Sequence, residues 1–256
     1  MNVLIVLAHP EAQSFNAHLA RIAEKALAGG GTLVQRSDLY AEHFDPSEGP
    51  RHFRVLRHPE RFDAQTEQRF SHENRLLSPE VEREMARILW ADLVILQFPL
   101  WWFGLPAALK GWMDRVFVYG GLYSGSCRHD SGFCRNKRAL MCVTTGSSAE
   151  KCAYNGVEGD TKLMLWPALY SLRYLGFGVL QPFVIHGVRS GLTGAAAEAH
   201  DEHLEEMSRN YDAFLRGLDK APLVPFNADT DFDESGRLRP EAPSYSPFIR
   251  HSPELD

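Results

Sequence analysis

Basic residues are in the minority in this chain: 27 lysines and arginines stand against 33 aspartates and glutamates, a net charge of −6. That balance gives no reason to expect nucleic acid or an anionic membrane surface as a partner. No apolar run approaches the length that crosses a bilayer, so no stable membrane insertion is expected. The opening MNVLIVLAHP has neither a basic n-region nor a cleavage site, and reads as a first strand rather than a secretion signal. There are only four cysteines, Cys127, Cys134, Cys142 and Cys152, and no CxxC among them, which argues against zinc. At 256 residues the chain needs no disulfide staples, so reduced thiols in a cytoplasmic protein are expected. Any GxGxxG is missing too, which excludes a Rossmann pyrophosphate loop. The glycine run at 29–31 follows a helical pattern and reads as its C-cap.

What is present alternates between strand and helix. Residues 3–8, 32–39, 93–96, 139–145 and 179–186 read as strands. Between them, Phe15, Leu19, Ile22, Ala23, Ala26 and Leu27 mark one helical face, Ser78-Pro79-Glu80 opens a helix to Trp90, and residues 163–175 suit another. Leu204, Met207, Tyr211, Phe214 and Leu215 mark a last one. Repeated β-α units imply an α/β fold, a doubly wound, five-stranded parallel sheet with helices on both faces. Residues 40–78 are charged and weakly periodic, and are expected to be a long excursion with little regular structure. A domain of residues 1–220 is followed by an acidic, proline-containing extension, 221–256, read as a disordered end or an arm reaching a partner subunit.

The most informative stretch is 97–117, QFPLWWFGLPAALKGWMDRVF. Its strand stops at Pro99, and Trp101, Trp102 and Phe103 follow before Gly104 and Pro106 punctuate the start of a helix. Aromatics between the carboxyl end of a strand and a helix start sit where open α/β sheets bind ligands. Such a platform suits a flat conjugated ligand, which points to a flavin. After the first strand, Ser14 and Asn16 beside a helix start offer groups that favour phosphate oxygens; helix capping alone also explains Ser14, and His9 reads equally as a buried, satisfied histidine. After the fourth strand, Thr144-Thr145-Gly146-Ser147 offers hydroxyls and a backbone that can approach a ring edge, or else an ordinary turn.

Together, LIVLAHPEAQSFN, SDLYAEHFDP, DLVILQFPLWWFGLPAALKGWMDRVF, TTGSS and GD…LWP…LGFGVLQP resemble the flavodoxin-like NAD(P)H:quinone oxidoreductases, the DT-diaphorase family, up to Leu218. The resemblance implies a flavodoxin-like sheet, bound FAD and a homodimer with active sites at the subunit interface. It also implies ping-pong transfer of two electrons from NAD(P)H through the flavin to quinones, with azo and nitro compounds as further acceptors. The family's FAD contacts carry over to His9, Ser14, Phe15 and Asn16 for the pyrophosphate and ribityl part, and to Pro99, Leu100, Trp102 and Phe103 for the ring edge. Thr144, Thr145 and Gly146 match the loop on the far side of the ring, Ser147 stands where a Gly is usual, and Arg189 is the surviving cation for the phosphate or adenine region. Tyr123 matches an aromatic given to the partner's substrate pocket, while Gly125 takes the place of the second; Trp102 also borders the substrate.

The chain departs from the family between Gly146 and Asp160. A Tyr and a His that stabilise charge on the reduced flavin are replaced by Cys152 and Glu158. Cys152 is open to three roles, weak donor, redox-active thiol or packing filler. A glutamate beside an anionic ring is unfavourable, which sends Glu158 to solvent. The expected donors are then the phenol of Tyr154 and the backbone N–H groups of Gly146 and Ser147. A second family resembles the chain as well: the ancillary subunits of glutathione-gated potassium-efflux antiporters. Those are usually shorter, and the 40–78 excursion and the 221–256 tail favour the reductases.

Overall fold

Three strands carry the core, and each buries both faces. In the structure, a computed structural model describing residues 1–253, these are β1 (Asn2–Leu7), β3 (Leu93–Pro99) and β4 (Arg138–Thr144). Side chains alternate across a strand, so one face takes Leu4, Val6, Val94, Leu96, Phe98, Met141 and Val143, and the other Val3, Ile5, Leu7, Ile95, Leu140 and Cys142. β2 (Leu33–Asp38) flanks β1, and the parallel order is β2-β1-β3-β4-β5, with β5 (Gly178–Val179) and β6 (Phe183–Ile185) both pairing with β4. The strand expected over 179–186 is thus two short pieces, interrupted at Gln181 and Pro182, where Gln181 N–H donates to Pro222 O at 2.9 Å. Proline has no N–H to continue a ladder.

Helices cover both faces. α1 (Phe15–Leu27) and α6 (Ala195–Arg216) pack on one, burying Leu19, Ala23, Tyr211 and Leu215; α6 begins well before the apolar residues that predicted it. α3 (Pro79–Trp90), α4 (Ala107–Val116) and α5 (Thr161–Tyr174) cover the other with Ile88, Trp112 and Leu169.

The excursion at 40–78 is more regular than expected. It holds α2 (Ala64–Glu73), whose N-cap Asp63 accepts from Thr66 N–H at 2.8 Å. The buried side of α2 is polar, namely Glu67, Gln68 and Ser71, so it leaves no apolar stripe in the sequence. Two of these polar groups are met: Glu67 accepts from Arg57 N–H at 2.7 Å and His58 N–H at 3.0 Å, and Gln68 Nε2 donates to Asp114 O at 3.1 Å.

The tail is folded against its own domain. Val224 N–H donates to Val179 O at 2.8 Å, Leu223 bridges Leu180, and Phe248 stacks on Trp166 with ring centroids 4.5 Å apart. The expectation for 221–256 extends over residues 254–256, which lie outside the described residues. Among the described residues no helix is long and apolar enough to cross a membrane.

Candidate active site

β1 and β3 are neighbours whose following helices leave to opposite faces of the sheet, α1 to one and α4 to the other. Their carboxyl ends therefore open a crevice, the place where doubly wound sheets bind ligands. Three loops converge there, after β1, β3 and β4.

The β3 loop is a tight turn. Trp101 and Gly104 exchange both backbone hydrogen bonds, at 3.1 and 3.0 Å, and the two residues between them have positive φ, 49° at Trp102 and 60° at Phe103. That is the pattern of a type I′ turn, ordinarily filled by Asn and Gly. Bulky aromatics there are strained, and strain of this kind accumulates at ligand sites. Trp102 is 95% exposed and Phe103 58%, so packing within the chain does not explain them. Trp101 rests on the His9 ring, 5.7 Å between centroids.

Beneath the crevice lies a buried polar network. Gln97 Nε2 donates to Asn16 Oδ1 at 2.8 Å, and Asn16 Nδ2 donates to Thr144 Oγ1 at 2.9 Å. Pro99 pairs in register with Thr144, and Leu100 N–H donates to Thr144 O at 2.8 Å. The three loop bases are thereby fixed to one another. This places the Asn16 and Thr144 side chains in internal bonding, so their sequence-predicted role as direct ligand contacts is left to the backbone around them. Ser14 Oγ accepts from Ala17 N–H at 3.2 Å, which is the capping role. The N–H groups of Phe15 and Asn16 have no protein acceptor among the described residues, leaving a helix N-terminus suited to an anion. His9 Nδ1 accepts from Glu11 N–H at 3.0 Å, and burial holds the imidazole below its usual value, so it is neutral with Nε2–H as donor.

The β4 loop closes the other side. A cavity of about 240 Å³ runs between Trp102 and Phe103 and the group Thr145, Gly146, Ser147, Cys152 and Glu158, with Leu100 and Met164 completing its lining. A second cavity, about 320 Å³, shares Leu100, Phe103 and Met164 and reaches Lys110. Thr145 Oγ1 donates to Ser147 O and pairs with His186 Nδ1, both at 2.9 Å; burial holds His186 below its usual value. Ser147 Oγ donates to Glu158 Oε1 at 3.1 Å. Glu158 is therefore a cavity residue, against the expectation of solvent, because Glu158 N–H closes onto Lys151 O at 2.9 Å and Gly159 turns with φ 82°. Cys152 is buried, its Sγ 3.9 Å from Thr145 Oγ1.

Two predicted residues are not brought to this cleft, and a third, Tyr123, expected in a partner's pocket, lies elsewhere. Tyr154 is 84% exposed and does not line the cavity, since its loop turns it outward. Arg189 is exposed, and among the described residues only its backbone N–H is engaged, by His200 Nε2 at 3.0 Å. Tyr123 lines a separate cavity of about 370 Å³ with Tyr170 and Tyr174, its hydroxyl accepting from Gln65 Nε2 at 3.2 Å. Sequence reasoning missed Gln97, His186 and Met164; a lone amide inside the apolar run LVILQFP was the signal for Gln97.

The site fits a flavin on its own geometry. An exposed aromatic pair is held in strain beside a cavity, and the backbone N–H groups of Trp102, Phe103, Gly146 and Ser147 at its rim have no protein acceptor among the described residues. A planar ring with acceptors along one edge satisfies both features.

A parallel sheet of this order with an aromatic cleft at its switch point defines a flavodoxin-type protein. Residues 1–211 match the family model described as flavodoxin-like fold. The ribosyldihydronicotinamide dehydrogenase [quinone] of Homo sapiens is 42% identical over 234 residues, 91% of this chain and 98% of that one. The NAD(P)H dehydrogenase [quinone] 1 of Cavia porcellus is 40% identical over 187 residues, 72% of this chain and 68% of its relative. A candidate quinone reductase from Klebsiella pneumoniae, solved as a crystal structure, superposes with a TM-score of 0.86 at 32% identity, covering 96% of this chain and 97% of that one. The chain belongs to the flavodoxin-like family of NAD(P)H quinone dehydrogenases.

Proposed function

We propose that the chain is an FAD-dependent NAD(P)H:quinone oxidoreductase that works by a ping-pong mechanism, as a homodimer, in the cytoplasm. The observation that carries it is the cleft: exposed Trp102 and Phe103 in a strained turn facing an unpaired set of backbone N–H groups across a cavity of about 240 Å³. When bound, the flavin supplies the hydride chemistry, accepting from NAD(P)H and delivering two electrons to the quinone.

The chain's own groups bind, orient and exclude water. Leu100, Trp102 and Phe103 pack the ring, and Pro99 fixes the end of the strand beneath it. The N–H groups of Trp102, Phe103, Gly146 and Ser147 hold the ring edge and meet negative charge that develops there. The α1 N-terminus at Ser14, Phe15 and Asn16, with His9 Nε2–H, takes the pyrophosphate that distinguishes FAD from FMN. Thr145, pinned between Ser147 and His186, sets the position of the Gly146 backbone. Arg189 remains a candidate for the adenine or phosphate end, Tyr123 for the substrate pocket of a partner subunit, and the 221–256 extension for the region of that interface.

Two measurements test this. Acid-released cofactor should chromatograph as FAD, and the yellow protein should oxidise NAD(P)H rapidly with a neutral benzoquinone. Release of FMN, or a protein that stays colourless through FAD titration, overturns the cofactor assignment. A flavin-loaded protein inert with quinones overturns the activity.

A further inference from the structure

We propose that Glu158 sets the charge preference of the cleft, so that a flat cationic acceptor is taken in preference to a flat anionic one; this rests on the quinone-reductase reading above. The observation that carries it is the acid itself. Glu158 lines the cavity half-buried, and the hydroxyl of Ser147 at 3.1 Å is the polar side chain that meets it. Among the described residues no Lys, Arg or His forms an ion pair with it. Lys110, the cation of the adjoining cavity, is already paired with Asp114 at 2.5 Å. A hydroxyl stabilises a carboxylate without cancelling its charge. The other polar side chain nearby, Thr145, carries no charge, and burial holds His186 below its usual value.

A cationic conjugated acceptor that meets the flavin at this cleft is therefore attracted by the acid, and an anionic one is repelled by it. The chemical class this selects is the phenothiazinium or iminium type of acceptor, with sulfonated quinones as the disfavoured class. The reaction balances: NAD(P)H gives up a hydride equivalent, the cationic acceptor gains two electrons and a proton to become its neutral leuco form, and the nicotinamide leaves as the cation.

The test compares methylene blue with anthraquinone-2-sulfonate on the flavin-loaded enzyme at low ionic strength. The ratio of their kcat/KM values should fall about tenfold in Glu158→Gln and further in Glu158→Lys, the scale of one unscreened charge at a partly buried site. The dissociation constants of the two dyes, read by spectral titration without turnover, should move in opposite senses. In the wild-type enzyme, added salt should shrink the preference. Ratios and dissociation constants that stay within about twofold of wild type in both variants overturn the inference. Failure to reduce a neutral benzoquinone overturns the reductase reading instead, and the dye dissociation constants still decide the charge preference.

Discussion

The two walls of the cleft are built on opposite plans. The β3 wall is apolar, strained and exposed: Trp102 and Phe103 sit at positive φ in a turn closed by two backbone hydrogen bonds. The β4 wall is polar and internally bonded, with Thr145, Ser147, Glu158 and His186 satisfying one another. One wall holds unused ring surface for a ligand, while the other keeps the free N–H groups of Gly146 and Ser147 beside side chains already bonded to one another. Affinity should therefore be concentrated on the first wall, and selectivity on the second.

The largest expected effect comes from cutting the tie between the walls. Asn16→Ala leaves Gln97 and Thr144 without a shared partner in a buried site, and should lower stability by about 2–3 kcal/mol, several degrees of melting temperature. Calorimetry of the flavin-loaded protein checks it; an unchanged melting temperature would show that the two walls stand independently.

The next effect separates binding from folding. Trp102→Ala should weaken flavin retention by about tenfold or more while leaving the melting temperature of the apoprotein unmoved, because the ring is exposed. Trp101→Ala should do less to retention, since that ring leans on His9. Trp102→Gly should stabilise the apoprotein by about 0.5–1 kcal/mol by removing a side chain from the left-handed region. Equal flavin dissociation constants in the two alanine variants and wild type would remove the affinity from this wall.

A pH series probes the histidines that support each wall, His9 beside Trp101 and His186 beneath Thr145. Burial lowers both from the ordinary 6.5, so below that value the unfolded chain binds protons that the folded chain refuses. Stability should hold above 6.5 and decline as pH falls through it. Denaturant midpoints across that range give the sign, and His9→Gln with His186→Gln should flatten the decline.

The smallest effects belong to the β4 loop. Tyr154→Phe and Cys152→Ser should each change the rate of flavin reduction by less than about twofold, because the phenol lies in solvent and the thiol is packed. Stopped-flow reduction by NAD(P)H measures both. A tenfold loss in Tyr154→Phe would mean that the loop moves inward when a ligand binds.

These differences track what the sequence could disclose. β1, β3 and β4 were readable because both faces are buried and their apolar runs are continuous, and the Trp101–Phe103 cluster announced the cleft by its place after a strand. α2 was hidden because Glu67, Gln68 and Ser71 make its buried side polar. Glu158 was hidden for a different reason. Its direction depends on a bond to Lys151 O and a left-handed glycine at 159, which composition and periodicity do not encode. Motif position located the loop, but only its folded path showed which side chains enter the cleft.

The tail's run along β5 has a consequence for how the protein is made. Pro222 and Val224 take up backbone groups of Gln181 and Val179 that would otherwise stand unpaired at the rim of the sheet. An open rim is a template on which a stranger's chain can be added. During synthesis the rim remains open until residues 222–224 leave the ribosome, since the strand they cover is made some forty residues earlier. Residues 222–224 thus act as a late seal, and a nascent chain stalled before Leu223 would carry the whole cleft on a molecule whose sheet rim is still open.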